Sequence, residues 1–110
     1  MRRGDLVTVA MSGDYGKLRP AVIVTSDILL TNNSAAVVVC QLTSVVDETA
    51  GFRVAVAPTS ENGLKHRSDI MADKPIAVSR RRIGYTIGRL SDEDVQRLDV
   101  ALAFALGLSD

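Results

Sequence analysis

Lys17-Leu18-Arg19-Pro20-Ala21-Val22-Ile23-Val24-Thr25 sets an arginine and a proline directly against a run of β-branched and apolar residues. Upstream, Arg3-Gly4-Asp5-Leu6-Val7 opens another such run. Val7 to Ala10 and Pro20 to Thr25 read as strands. Between them lies Met11-Ser12-Gly13-Asp14-Tyr15-Gly16-Lys17-Leu18, too long for a tight hairpin and bracketed by two glycines, so this loop is expected to move. A guanidinium between a movable loop and a rigid strand has a fixed origin and a free tip, which suits contact with a ligand phosphate. A surface ion pair at a strand edge accounts for Arg19 equally well. Further on, Val37-Val38-Val39-Cys40-Gln41-Leu42 ends in Thr43-Ser44, two hydroxyls with no hydrophobic reason to stand there. Either they meet Arg19 around one anion, or they form a turn with their own backbone.

Working outward, Ala36 to Leu42 is nearly continuous in apolar residues, the pattern of a strand covered on both faces, whereas Phe52 to Ala57 alternates and reads as half-exposed. Pro58 ends that strand, and Thr59-Ser60-Glu61-Asn62-Gly63 is turn chemistry. Short strands follow at Ser68 to Met71 and Ile76 to Val78, and Tyr85 to Leu90 reads as the last strand. Ser91 with Asp94 three residues later starts a helix, and Asp92 and Glu93 sit where its dipole favours negative charge. Val95, Leu98, Leu102, Ala105 and Leu106 form a helical apolar stripe, with Phe104 beside it expected in the core and Gly107 as the stop. The fold class is therefore mainly β with a C-terminal helix: a strongly bent antiparallel sheet or small barrel with the helix packed on it.

With 110 residues, 46% of them hydrophobic, the chain reads as one domain over 1–110 with a single core. The start of the chain has no apolar segment behind its charges and no run is long enough to span a bilayer, which points to a soluble cytoplasmic protein with no membrane partner. Cys40, the one cysteine, reads as a buried inert thiol. One His and one Cys cannot build the usual zinc sets, and the carboxylates lack calcium-loop spacing, so neither metal nor cofactor is expected. Net charge is zero, but five acids against one base fall within 91–110, leaving 12 basic and 8 acidic residues, a net of +4, on the body. Lys17, Arg19, Lys65, Arg67 and the Arg80-Arg81-Arg82 triplet are candidates for a basic face. The triplet is otherwise a solvated turn. His66 reads as a solvated or phosphate-contacting residue, and Tyr15 is the aromatic placed to stack on a base.

Arg3-Gly4-Asp5, Arg19-Pro20-Ala21-Val22, Leu42-Thr43-Ser44, Asn62-Gly63-Leu64 with Ser68, and Ile87-Gly88-Arg89-Leu90-Ser91, in that order, resemble the MazF/PemK (Kid) toxins of bacterial toxin–antitoxin pairs. The resemblance covers essentially the whole chain. It implies an SH3-like barrel of the CcdB–MazF type and a homodimer held silent by a cognate antitoxin. The implied activity is a metal-independent endoribonuclease that cuts single-stranded RNA at short sequences, an mRNA interferase. In such an enzyme the 2′-hydroxyl attacks and leaves a 2′,3′-cyclic phosphate and a 5′-hydroxyl. Thr43 matches the catalytic Thr/Ser of the MazF group and joins Arg19 as a catalytic candidate, while Ser44, beside it, joins Tyr15, Lys17, Lys65, His66, Arg67 and Arg80 as RNA-binding candidates. In the Kid branch an Arg and an Asp two apart share the acid–base work with a His in the first loop. Here Asp73 is kept as a helper candidate, its alternative being a plain turn carboxylate, but Met71 replaces the arginine and the first loop has no His. A CcdB-like gyrase poison shares the fold, but its Trp-Gly-Ile tail is missing. A non-catalytic SH3-like interaction module is the remaining alternative, and an RNA cleavage assay separates it from the nuclease.

Overall fold

A computed structural model describes residues 1–11, 17–47, 49 and 51–109. Among these, the element order is β1 (Asp5–Ala10), β2 (Leu18–Ile23), α1 (Asp27–Thr31), β3 (Ala36–Thr43), β4 (Arg53–Val56), β5 (Ser68–Met71), β6 (Ile76–Ser79), a 3₁₀ turn (Arg80–Arg82), β7 (Ile83–Arg89) and α2 (Asp92–Ala105). The strands are hydrogen-bonded in the order β4-β5-β3-β2-β1-β7, and β6 runs beside the first half of β3. All pairings are antiparallel. The bent sheet with a C-terminal helix is as the sequence implies, although the sheet is not closed.

Period-2 alternation divides the central strands between two apolar clusters. Leu6, Val22, Cys40 and Leu42 face one side with Val54, Val56 and Ile70, where Leu98, Ala101 and Leu102 of α2 cover them. Val7, Val9, Ala21, Ile23, Val37 and Val39 face the other, beneath Leu30 of α1 and Val78 of β6. The near-continuous apolar run in β3 thus reflects burial on both faces, and the single core expected from chain length is two clusters, one on each side of the sheet.

Strand β2 stops at Ile23 because Val24 and Thr25 leave the ladder: both backbone N–H groups turn to the Val38 carbonyl, and Thr25 Oγ1 accepts the Val38 N–H at 2.6 Å. Ser26 then caps α1 by accepting the Leu29 N–H. This five-residue helix has no counterpart in the sequence reading, being too short to show a helical period. Helix α2 begins as expected, with Ser91 Oγ accepting the Asp94 N–H at 3.1 Å. It ends at Gly107, whose φ of 74° permits the bonds Leu108 N–H to Ala103 O and Gly107 N–H to Phe104 O. Ala105 and Leu106 are exposed, so the buried stripe is shorter than expected. Phe104 is not in the core: it is 53% exposed and stacks on Phe52 with ring centroids 4.8 Å apart.

Two motifs far apart in sequence form one joint. Asn62 is 2% exposed; its Oδ1 accepts from the N–H groups of Thr59 and Leu64, and its Nδ2 donates to the Ala57 carbonyl. The turn it ties lies backbone-to-backbone on β7, where Arg89 N–H donates to Glu61 O. A Cβ on Gly88 would stand 2.4 Å from the Asn62 carbonyl group, and one on Gly63, at φ 68°, 2.4 Å from the Ile87 carbonyl oxygen. Gly88→Ala is accordingly expected to destabilise the protein by about 1–3 kcal/mol, the cost of forcing atoms into a packed site. Chemical denaturation checks this, and an unchanged midpoint would show that the turn yields freely.

Candidate functional site

The Asn62 turn leads directly into one wall of a groove of about 400 Å³ at the ends of β2 and β3. Arg19 and Pro20 of β2, Gln41 and Thr43 of β3 and Ser44 just beyond it form the floor, and Leu64, Lys65 and His66 form the wall, with Ser68 and Met71 of β5 behind. The β2·β3 register pairs Ala21 with Gln41; carried on by two residues, it brings Arg19 level with Thr43. Arg19 is half-buried, so its stem is fixed by the strand. Ser68 Oγ donates to the His66 carbonyl at 3.1 Å, which fixes the backbone that presents Lys65 and His66.

Thr43 Oγ1 accepts the Val45 N–H at 3.1 Å. That is the local turn the sequence allowed as an alternative, and it is compatible with a role at a ligand. A hydroxyl that accepts through one lone pair still has its hydrogen to donate. The Arg19 guanidinium, the Lys65 ammonium, the His66 imidazole and the hydroxyls of Thr43 and Ser44 line one hollow that can hold a phosphodiester, with Arg19 supplying a planar fork and Thr43 a short O–H donor.

Of the other sequence candidates, Ser44, Lys65 and His66 reach this groove. Lys17 is exposed just ahead of β2, and Tyr15 lies outside the described residues. Arg67 lines a neighbouring hollow with Asp47, Arg53 and Asp69. Arg80 is not brought to the groove. Its Nε donates to Ser34 O at 3.0 Å and its Nη2 to Leu30 O at 3.1 Å, which ties down the end of α1. Asp73 also stands apart: it is exposed on the β5–β6 turn, close against Gly51, as a turn carboxylate would be. Gln41 escaped the sequence reading, although the signal was present. It is the one polar residue within the apolar Ala36 to Leu42 run and shares strand parity with Thr43. Met71, noted as the replacement for the Kid arginine, does line the groove.

Among the described residues no three of His, Cys, Asp or Glu stand close enough to share a metal ion, and no helix is long and apolar enough to cross a membrane. Cys40 is fully buried. Burial, reinforced by the Asp73 carboxylate and opposed by Arg3, pushes its thiol up to about 11 from 9.0.

The family model for PemK-like, MazF-like toxins of type II toxin–antitoxin systems matches residues 2–106. A Mycolicibacterium smegmatis protein described as a probable endoribonuclease MazF is 36% identical over 110 residues, covering 99% of both chains. Among solved structures, the Mycobacterium tuberculosis toxin MazF-mt6 superposes with a TM-score of 0.80 at 23% identity, covering 96% of this chain and 99% of that one. An endoribonuclease in complex with its cognate antitoxin, from a mycobacterial species, superposes at 0.81 with 24% identity, covering 100% and 98%. A MazE–MazF structure from Deinococcus radiodurans gives 0.76 at 19% identity, covering 99% and 98%.

The folded chain holds the Cys40 proton at pH values where the unfolded chain releases it. The stabilisation is therefore complete below pH 9.0 and is lost as pH rises towards about 11. Native protein should resist iodoacetamide at about pH 8 and react once unfolded. Denaturation midpoints across that alkaline window should fall less steeply in Cys40→Ala than in the unaltered chain.

Proposed function

The chain belongs to the PemK-like, MazF-like toxin family of type II toxin–antitoxin systems, and on that footing we propose that the groove holds and cleaves single-stranded RNA. The observation that carries the reading is that Arg19 and Thr43, from two strands, line one groove. In the proposed reaction the 2′-hydroxyl gives up its proton as its oxygen attacks the adjacent phosphorus, and the P–O5′ bond breaks with O5′ taking up a proton, leaving a 2′,3′-cyclic phosphate and a 5′-hydroxyl. Charge grows on the two non-bridging oxygens as phosphorus becomes five-coordinate. Arg19 grips those oxygens through its fork and Thr43 donates its hydroxyl hydrogen to one of them, so both act where charge develops. Lys65 and His66 follow the flanking phosphates. Asp73 is given no proton-transfer role, because it lies outside the groove.

A groove of this size contacts only a short stretch of RNA, and a twofold-related copy would double the track, so the working unit is proposed to be a homodimer. The relatives solved with antitoxins support the further reading that a cognate antitoxin silences this chain. An acidic, disordered segment laid over the basic body would occlude Arg19, and its binding should weaken with salt.

Purified protein incubated with single-stranded RNA in EDTA is expected to cut at a defined short sequence and leave the ends described; rescue by magnesium alone, or cutting of all-deoxy substrate, would defeat the mechanism. Arg19→Ala and Thr43→Ala should each lose about 10²- to 10³-fold in rate while melting like the unaltered chain, the usual cost of removing one preorganised donor. Arg19→Lys should also be severely impaired, since an ammonium lacks the bidentate fork. In light scattering, a monomer at micromolar concentration would refute the dimer.

A further inference from the structure

The segment that leaves Thr43 is held from behind by two side chains that do not line the groove. Arg53 of β4 donates from Nη1 to the Val45 carbonyl at 3.0 Å and meets Asp69 Oδ2 of β5 at 3.4 Å. Asp69 is 2% exposed, and the same oxygen accepts the Asp47 N–H at 3.2 Å. In the β3·β5 register, Asp69 lies opposite Thr43 itself. Val45 is thus gripped at both ends: its carbonyl by Arg53, its N–H by Thr43 Oγ1.

That double grip has a directional consequence. The Val45 N–H occupies one lone pair of the Thr43 hydroxyl, so the orientation of residue 45 decides which way the hydroxyl hydrogen and the other lone pair point. A buried carboxylate is costly to keep unless it is paired and hydrogen-bonded. Asp69 meets that demand with Arg53 and with the backbone two residues beyond Val45, which makes the loop, rather than the core, its counterpart. We propose that Arg53 and Asp69 form a positioning clamp that sets the direction in which Thr43 presents its hydroxyl, and that they act on cleavage through Thr43. The inference rests on the reading of the groove given above.

A double-mutant cycle tests it. Arg53→Met keeps the packed stem and removes the donors. Asp69→Asn keeps the shape and an acceptor for the Asp47 N–H while removing the ionic grip, and stands in if Arg53→Met fails to fold. Cleavage of a single-stranded RNA bearing the site mapped with the unaltered protein is measured at saturating and limiting concentrations, with and without Thr43→Ala, alongside thermal melting. The expected result is a fall in kcat of about 10- to 100-fold, as for other misplaced catalytic groups. KM should be unchanged, and no further fall should occur on top of Thr43→Ala. Unchanged kcat, a raised KM with kcat intact, or an equal fall in both backgrounds would each overturn the clamp. Thr43→Ala cutting at full rate would remove the groove reading and the clamp together. An impaired Thr43→Ala beside fully active Arg53→Met and Asp69→Asn would remove the clamp alone.

Discussion

Strand β3 is hydrogen-bonded along both edges and covered on both faces, and the groove hangs from its last residue. Along one edge it meets β2; along the other it meets β6 over its first half and β5 over its last two residues. Its odd residues Val37 and Val39 enter one apolar cluster and its even residues Cys40 and Leu42 the other. A one-residue slip would exchange those two sets and bring Gln41 into a core. The register is therefore fixed from four sides, and with it the point at which the strand ends in two hydroxyls. Precision at Thr43 is inherited from burial some residues upstream.

The groove's other wall is set by a different physical means. Leu64 to His66 belong to no strand, and they are placed by the Asn62 turn, which satisfies its own backbone and lies on β7 where glycine leaves room. Floor and wall thus come from side-chain packing and from close backbone approach respectively. At the chain's start, Arg3 spans the Val24 carbonyl and Asp99 of α2, and Arg89 of β7 bonds the Arg3 carbonyl and Asp5. The Arg3-Gly4-Asp5 motif is in this way a structural knot between the first strand, the last strand and the final helix.

What could be read from the sequence was what is local or periodic. Ser68 to Met71 was bounded on both sides by turn residues and emerged with the expected limits; the Ser91 cap and the doubly covered β3 followed from spacing alone. What could not be read was the partner of a long side chain. Arg80 showed its charge in the sequence but not the carbonyls of Leu30 and Ser34 that consume it, which lie 50 and 46 residues away. Asp69 likewise looks like any strand-edge acid until Arg53 is placed beside it. Phe104 fitted the helical stripe by spacing, yet Phe52 offered it a stacking partner on the surface. Chain length suggested one core because it says nothing of a sheet covered on both faces. The floor of the groove, built from residues at strand ends, was legible; Gln41 was missed because one polar residue in an apolar run is easily taken for noise.

The Gly88 joint also orders events in time. A chain is made from its N-terminus, so Arg19 and Thr43 are joined to it before residues 83–90 exist. Until β7 arrives, β1 lacks one of its two edge partners and the Asn62 turn has no surface to rest on. The floor of the groove is written early and its wall is secured late. A nascent chain therefore carries the groove's chemical groups without the geometry that unites them, and assembly of the site waits on β7.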